Sequence, residues 1–496
     1  MPRKMPIFYS AMLLTGVNLL LRLVSTSFQV YVSGKIGAAG VGLLQLVLSV
    51  GMLAMTAGMA GIRTATMYLT AEERGRGRPE NYGCVLSGCF TYSVIWSGIV
   101  AAALYWFAPT VAEHWIGDIR VLPAIRTLAV FLPVSCLCGV MIGYFTGLNR
   151  IGTLAGVEIA EQLVSMTITM SLLTVWAGSD PQKACQAIVF GSGLSGCFTV
   201  LCLLFLRGTK QVRQARIPVS GRLLRVAVPL ALADDLKSGI STTENLMVPK
   251  RLTLFRGADD PLALFGTVCG MVFPVLMFPA AILFGLAELL IPELARCNAA
   301  GSRNRIGYLT RRSLKVAMLY GCLFGGLIYF LAVPLCQKLY HSEQAGRQLQ
   351  LYAILCPILY CDAITDAMTK GLGQQTACVR YNILTSSMDV VFLFLLLPRY
   401  GMTGYFLSFL ITHLLNFLLS LGRLIRITDL KVNWFVPVRC VAGLFLAVGV
   451  ANFITGYALK TGAFVIIFSI ILFLLNVLRK EDVFWLKGLV KGRNIH

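Results

Sequence analysis

Residues 316–336 read Val-Ala-Met-Leu-Tyr-Gly-Cys-Leu-Phe-Gly-Gly-Leu-Ile-Tyr-Phe-Leu-Ala-Val-Pro-Leu-Cys, with Arg311-Arg312 just upstream. No charge interrupts the run. At about 1.5 Å of rise per residue, a helix of this length covers the roughly 30 Å hydrocarbon core of a bilayer. Its apolar residues do not alternate with polar ones, so it is not a barrel strand. Hydrocarbon offers no partner to a backbone N–H or C=O, which leaves the helix as the form that satisfies itself.

Working outward, this run occupies 313–336, and others lie near 7–31, 41–70, 82–108, 121–147, 152–178, 184–206, 223–248, 263–291, 349–371, 379–398, 402–422, 436–457 and 462–478. The reading is an all-α membrane protein of about fourteen transmembrane helices. Composition agrees: 57% of the chain is hydrophobic and 13% charged, against roughly a quarter charged in a soluble domain. The first run follows Met-Pro-Arg-Lys, as a signal peptide would. It is too long for a signal core, shows no small-residue cleavage site and leads into another span, so it reads as a retained first helix. The aromatics Trp96, Trp106, Trp115 and Trp176 fall near span ends, as an interfacial belt does.

The net charge of +21 is mostly a topology signal. Arg207, Lys210, Arg213, Arg216, Arg222 and Arg225 crowd one connection, and Arg296, Arg303, Arg305, Arg311 and Arg312 another. These connections fall on one side, which places both chain ends in the cytoplasm and the protein in the plasma membrane, attracted to anionic lipid. The basic residues are dispersed over short connections, so nucleic acid is not an expected partner. The fifteen cysteines, Cys136, Cys138, Cys197, Cys202, Cys269 and Cys322 among them, lie mostly inside apolar runs as small hydrophobes. No CxxC pair occurs, and His114, His341, His413 and His496 are scattered, so no metal centre is expected. Gly371-Leu372-Gly373-Gln374-Gln375 lacks the lysine and spacing of a nucleotide loop. No connection is long enough for a soluble catalytic domain. Enzymatic activity and a cofactor are therefore not expected.

The chain hints at a duplication. The first run leads through an outer turn, Ser33–Gly40, into a Gly-rich second run. The seventh leads through Pro249-Lys250-Arg251 into a long eighth run holding Gly266, Gly270, Pro274 and Pro279. The expected organisation is two pseudo-symmetric six-helix lobes, residues 1–215 and 216–430, with a site between them, and a third segment, 431–496, adding two helices and a cytoplasmic tail.

At these residues the chain resembles a known family. Val32-Ser33-Gly34-Lys35-Ile36-Gly37-Ala38-Ala39-Gly40-Val41-Gly42-Leu43, Glu161-Gln162, Leu246-Met247-Val248-Pro249-Lys250-Arg251-Leu252 and Leu290-Ile291-Pro292-Glu293-Leu294-Ala295 are similar in order and spacing to the stage V sporulation protein B family. These are polysaccharide-type transporters of the multidrug/oligosaccharidyl-lipid/polysaccharide exporter superfamily. The resemblance spans about residues 10–425 and implies a flippase-like transporter of lipid-linked saccharides. One position departs: where a base is expected shortly after Glu161-Gln162, the next turn offers Ser165.

Ionisable residues inside a bilayer are costly and mark function by default. Asn18, Arg22, Ser25 and Gln29 form a polar stripe at helical spacing that cannot face lipid. Arg22 and Arg63, with Asn18, Lys237 and Gln162, are the expected substrate-binding residues, because a guanidinium fork suits a diphosphate. Structural pairing is the rival role for Arg22, and snorkelling to the inner interface the rival for Arg63. The seventh run sets Asp234, Asp235, Lys237, Ser238, Ser241, Glu244 and Asn245 along one face. Acids outnumber the base there, which points to Na⁺ or H⁺ as a coupling ion. Asp362, Asp366 and Lys370 share a face of the tenth run, and Asn382, Ser386 and Asp389 mark the eleventh. Asp234, Asp235, Glu244, Asp362, Asp366 and Asp389 are thus the candidate coupling carboxylates, with polar clamps between helices as their rival role. Glu158 and Glu161 lie near an inner end, within reach of interfacial water.

Three functions follow. The first is flipping of an undecaprenyl diphosphate-type oligosaccharide or peptidoglycan precursor by alternating access, in vegetative growth or sporulation, with the last two helices holding the polyprenyl tail as the resemblance implies. The second is cation-coupled export of drugs. The third is a non-transporting scaffold that recruits cell-wall synthesis proteins. Lipid-linked saccharide and membrane lipids are the expected partners.

Overall fold

The computed structural model describes residues 7–178, 180–207, 220–257, 259–428 and 435–478. Lys210, Arg213, Arg216 and His496 lie outside these, as do the side chains of Asn18 and Arg225. In chain order the α-helices are α1 (Ile7–Met59), α2 (Ile62–Gly75), α3 (Tyr82–Thr110), α4 (Leu122–Gly147), α5 (Ile151–Leu172), α6 (Pro181–Arg207), α7 (Ser220–Leu252) and α8 (Pro261–Thr267). They continue as α9 (Phe273–Met277), α10 (Ala280–Ala299), α11 (Arg303–Tyr340), α12 (Glu343–Tyr352), α13 (Cys356–Gly371), α14 (Gln375–Thr428), α15 (Phe435–Asn452) and α16 (Tyr457–Leu474).

The protein is an all-helical, multi-pass membrane protein. Among the described residues, ten helices are long and apolar enough to cross a bilayer, and eleven if the bent pair Pro261–Met277 and Ala280–Ala299, angled at 62°, is one span. The seventh run is a helix, α7, but is not among them. Asp234, Asp235, Lys237 and Glu244 dilute its apolar character. The turn expected over Ser33–Gly40 is helical save for one residue, Gly37 (φ 69°), where α1 bends. α14 bends likewise at Gly401 (φ 56°).

The chain packs as two compact units. One comprises Leu20–Gly270 and Val390–Gly404. Its core gathers Ile62, Leu69, Leu86, Val140, Phe145 and Leu203 around α4. Gly139, Gly143 and Gly147 stand four apart on α4 and present a bare stripe to α2. A Cβ at Gly143 would lie 2.3 Å from the Arg63 carbonyl oxygen, and one at Gly147 would lie 2.7 Å from that of Met67. Only glycine lets two backbones approach so closely, as in other small-residue helix contacts in membranes.

The other unit comprises Met271–Asp389, Tyr405–His496 and the segment up to Leu19. Here α11 packs against α13, α15 and α16, and the Phe464 ring fills the space above Gly326, 2.0 Å from where a Cβ would sit. The break before α10 frees backbone carbonyls that hydrocarbon cannot satisfy. Two tyrosines serve that stretch: Tyr360 donates its hydroxyl to the Leu276 carbonyl at 2.9 Å and Tyr320 to that of Pro279 at 2.8 Å.

Candidate functional site

The second membrane run is interrupted. Ala60 (φ 39°) and Gly61 (φ 70°) both take left-handed backbone. Gly61 is required twice over, since a Cβ there would also meet the Ala227 carbonyl oxygen of α7 at 2.4 Å. α2 begins immediately after, with no side-chain cap on its N-terminus. Arg63 is its second residue and its side chain is exposed. An uncapped helix start carries unpaired N–H groups and about half a positive charge. The guanidinium is thus joined to the positive end of a helix inside a span. α2 also continues to Gly75, beyond the end at residue 70 expected from sequence. That sets Arg63 twelve residues, about 18 Å, from a helix end whose last turns carry Glu72, Glu73 and Arg74.

Arg22 lies half-buried on α1. Along its stripe, Gln29 donates to the Gly270 carbonyl at 3.2 Å. Gln162 on α5 is half-buried. On α7, Asp234 and Lys237 are exposed, and Asp235 and Glu244 half-buried. Asp235 Oδ1 and the buried Ser238 Oγ have no hydrogen-bond partner within the protein. One turn on, Thr242 donates to the Ser49 carbonyl at 3.0 Å. Arg22, Arg63, Gln162 and the α7 cluster all belong to the first unit.

The remaining candidates belong to the second unit. Asp362 is 7% exposed. Its Oδ2 lies 3.2 Å from His413 Nδ1, and its Oδ1 accepts from Asn416 Nδ2 at 2.9 Å. Asp389 Oδ1 accepts from the Ser408 hydroxyl at 2.5 Å and that of Thr412 at 3.3 Å. Asp366 pairs with Lys370 at 2.6 Å. Asp362 on α13 thus meets His413 and Asn416 on α14, and Asp389 joins the two arms of α14 across its bend at Gly401. His413, Asn416, Ser408 and Thr412 were not singled out from sequence, although 408, 412 and 416 share a face by their spacing of four. Among the described residues, no three His, Cys, Asp or Glu side chains gather as metal ligands.

Outside the spans, Asp118 caps the short turn Ile119–Val121 and receives Arg120 on both carboxylate oxygens, at 2.6 Å for the closest contact. The hydrogen-bonded guanidinium holds this carboxyl below the usual range.

Comparison with known proteins shows several to which this chain is similar. Residues 8–235 match the family described as "Polysaccharide biosynthesis protein". Stage V sporulation protein B of Bacillus subtilis (strain 168) is 20% identical over 439 residues, covering 85% of this chain and 84% of that one. Among solved structures, "Lipid II flippase MurJ, inward closed conformation" superposes with a TM-score of 0.69 at 10% identity, over 93% of this chain and 98% of that one. An inward-facing multidrug resistance transporter of the MATE family gives 0.63 at 16% identity, over 84% of this chain and 100% of that one. At these identities the structures speak for fold alone. The chain is thus similar over residues 8–235 to polysaccharide biosynthesis proteins and over most of its length to stage V sporulation protein B, and its fold is like those of the lipid II flippase and the MATE-family transporter.

Proposed function

We propose that this protein is a transporter, not an enzyme, that flips a lipid-linked oligosaccharide or peptidoglycan precursor of the undecaprenyl diphosphate type across the plasma membrane. One observation carries the reading: Arg63 stands in the first turn of a half-helix that begins inside a span, after a break that glycine alone accommodates. A bidentate cation on the positive end of a helix suits a diphosphate far better than a cationic drug. Arg22, deep in α1, is the second anion contact, with Asn18, Lys237 and Gln162 around the headgroup.

In this reading the chain crosses the membrane fourteen times, with both ends cytoplasmic. α1 and α14, at 53 and 54 residues with one non-helical glycine each, have length for two crossings apiece, which supports the count. Residues 1–215 and 216–430 form the two lobes whose rocking gives alternating access, and α15 and α16 receive the polyprenyl tail. Asp234, Asp235 and Glu244 take up Na⁺ or H⁺, with Asp362, Asp366 and Asp389 as further coupling carboxylates. Relief of their repulsion in one arrangement shifts the equilibrium between states. The relative's name favours a role in sporulation, among cell-wall synthesis proteins.

Cation-coupled drug export is the second reading, favoured by the acidic α7. Mass spectrometry of lipids that copurify in mild detergent separates the two. A polyprenyl diphosphate species is expected, and its repeated absence would favour the drug exporter.

A further inference from the structure

Five residues drawn from three stretches of chain meet at the end of the first unit where α7 starts. Glu73 is 1% exposed. Its Oε2 accepts from Asn81 Nδ2 at 2.7 Å, and its Oε1 accepts from Arg222 Nη1 and Nη2, both at 3.0 Å, and from Arg76 Nη1 at 3.4 Å. Glu72 accepts from Arg222 Nη2 at 2.5 Å and from Arg76 Nη2 at 2.6 Å. Arg222 is the third residue of α7, whereas all the other members lie at the end of α2 or in the turn that follows it.

A buried carboxylate that loses its only partner is strongly destabilised, which makes most such pairs static. This network is built otherwise. If Arg222 withdraws, Glu73 keeps Asn81 and Arg76, and Glu72 keeps Arg76. Arg222 itself, 31% exposed at its side chain, passes to water. Each group retains a partner in both arrangements. At its other end α2 starts from the left-handed pair Ala60 and Gly61, a break where its direction can change. Elsewhere Thr242 of α7 donates to the Ser49 carbonyl, Lys250 and Arg251 at its far end donate to the His114 and Phe394 carbonyls, and Leu223 and Ala227 pack into the core beside Gly61.

We propose that Arg222 is the moving part of a reversible ionic latch that joins the start of α7 to the end of α2 and releases when the cytoplasmic side opens during transport. The latch rests on the transport reading for its purpose, but its opening is measurable without substrate. Arg222→Gln removes the moving charge and leaves both carboxylates partnered, so the full-length protein should fold. Ala227, fully buried beside Gly61, reports on the seam. As Ala227→Cys, its rate of modification by a water-soluble maleimide, resolved from the native cysteines by mass spectrometry, should rise at least tenfold with Arg222→Gln. As a second arm, Glu72→Cys with Arg222→Cys joined by a bis-methanethiosulfonate of ion-pair length, each cysteine thiolate displacing methanesulfinate to form a disulfide, should stop movement of lipid-linked saccharide in vesicles, and reductant should restore it. An unchanged maleimide rate, or transport by the crosslinked protein, overturns the latch. If instead the unlinked protein moves no lipid-linked saccharide while the maleimide difference stands, the transport reading fails and the latch does not.

Discussion

The backbone of Gly143 approaches that of Arg63 so closely that a Cβ on the glycine would sit 2.3 Å from the arginine's carbonyl oxygen. The residue that aims Arg63 is therefore a glycine eighty positions away, with no side chain of its own. Gly143→Val should push α2 off α4, at a cost of about 1–3 kcal/mol in stability. Flipping should fall even though the arginine is intact. Gly98→Val on α3, where a Cβ meets nothing within 4 Å, is the control and should leave both unchanged. Thermal unfolding and vesicle flipping of the two variants check this.

The Asp362–His413–Asn416 cluster predicts a pattern of rescue. His413→Phe keeps the ring beside Phe409, now 4.2 Å away, but takes one partner from a buried carboxylate. Stability should drop by about 1–3 kcal/mol. Removing the carboxylate as well, with Asp362→Leu, should recover at least half of that loss. A double variant less stable than the single would show that the cluster is not a mutual pair.

Asp118 sets a limit on acid stability. Its folded carboxyl titrates below the unfolded value of about 3.9, so its contribution is complete above that value and is lost as pH falls through the lower folded one. Asp118→Asn should lower thermal stability across pH 5 to 8, with the difference from the wild type shrinking as pH falls below about 4, which flattens the acid limb. A difference from the wild type that does not shrink as pH falls below about 4 would contradict the assignment.

Topology is open to thiol labelling. Cysteines replacing Arg76 and Arg305 should react from the cytoplasmic side, and those replacing Lys35 and Arg256 from outside. Reaction of positions 76 and 256 on one side would remove the fourteen-crossing arrangement.

The helices were legible because a crossing needs about twenty apolar residues in succession, and that is a local property. Their interruptions were less so. Gly37 reads like its neighbours Gly34 and Gly40, and nothing local says which of the three will leave the helix. Ala60 and Gly61 sit in the middle of an apolar run and break it where the Ala227 backbone of α7 comes close to Gly61. Arg22, Arg63, Asp362 and Asp389 stood out on cost alone, since a charge in hydrocarbon must have a reason. Their partners did not, because the pairing of Asp362 with His413 spans 51 positions and that of Glu73 with Arg222 spans 149. A serine, a histidine or an arginine at a helix end looks ordinary until the fold brings an acid to it.

The central claim is that Arg63, on the free N-terminus of α2, grips an anionic headgroup. It is tested most directly by flipping of a fluorescent polyprenyl diphosphate saccharide in vesicles containing Arg63→Ala, Arg63→Lys or Arg22→Ala protein of normal expression and thermal stability. Losing a charge-assisted fork should slow flipping about tenfold to a hundredfold in the alanine variants. Lysine should restore only part, because a point charge cannot reproduce two parallel hydrogen bonds. Flipping at the wild-type rate by both alanine variants would contradict the account.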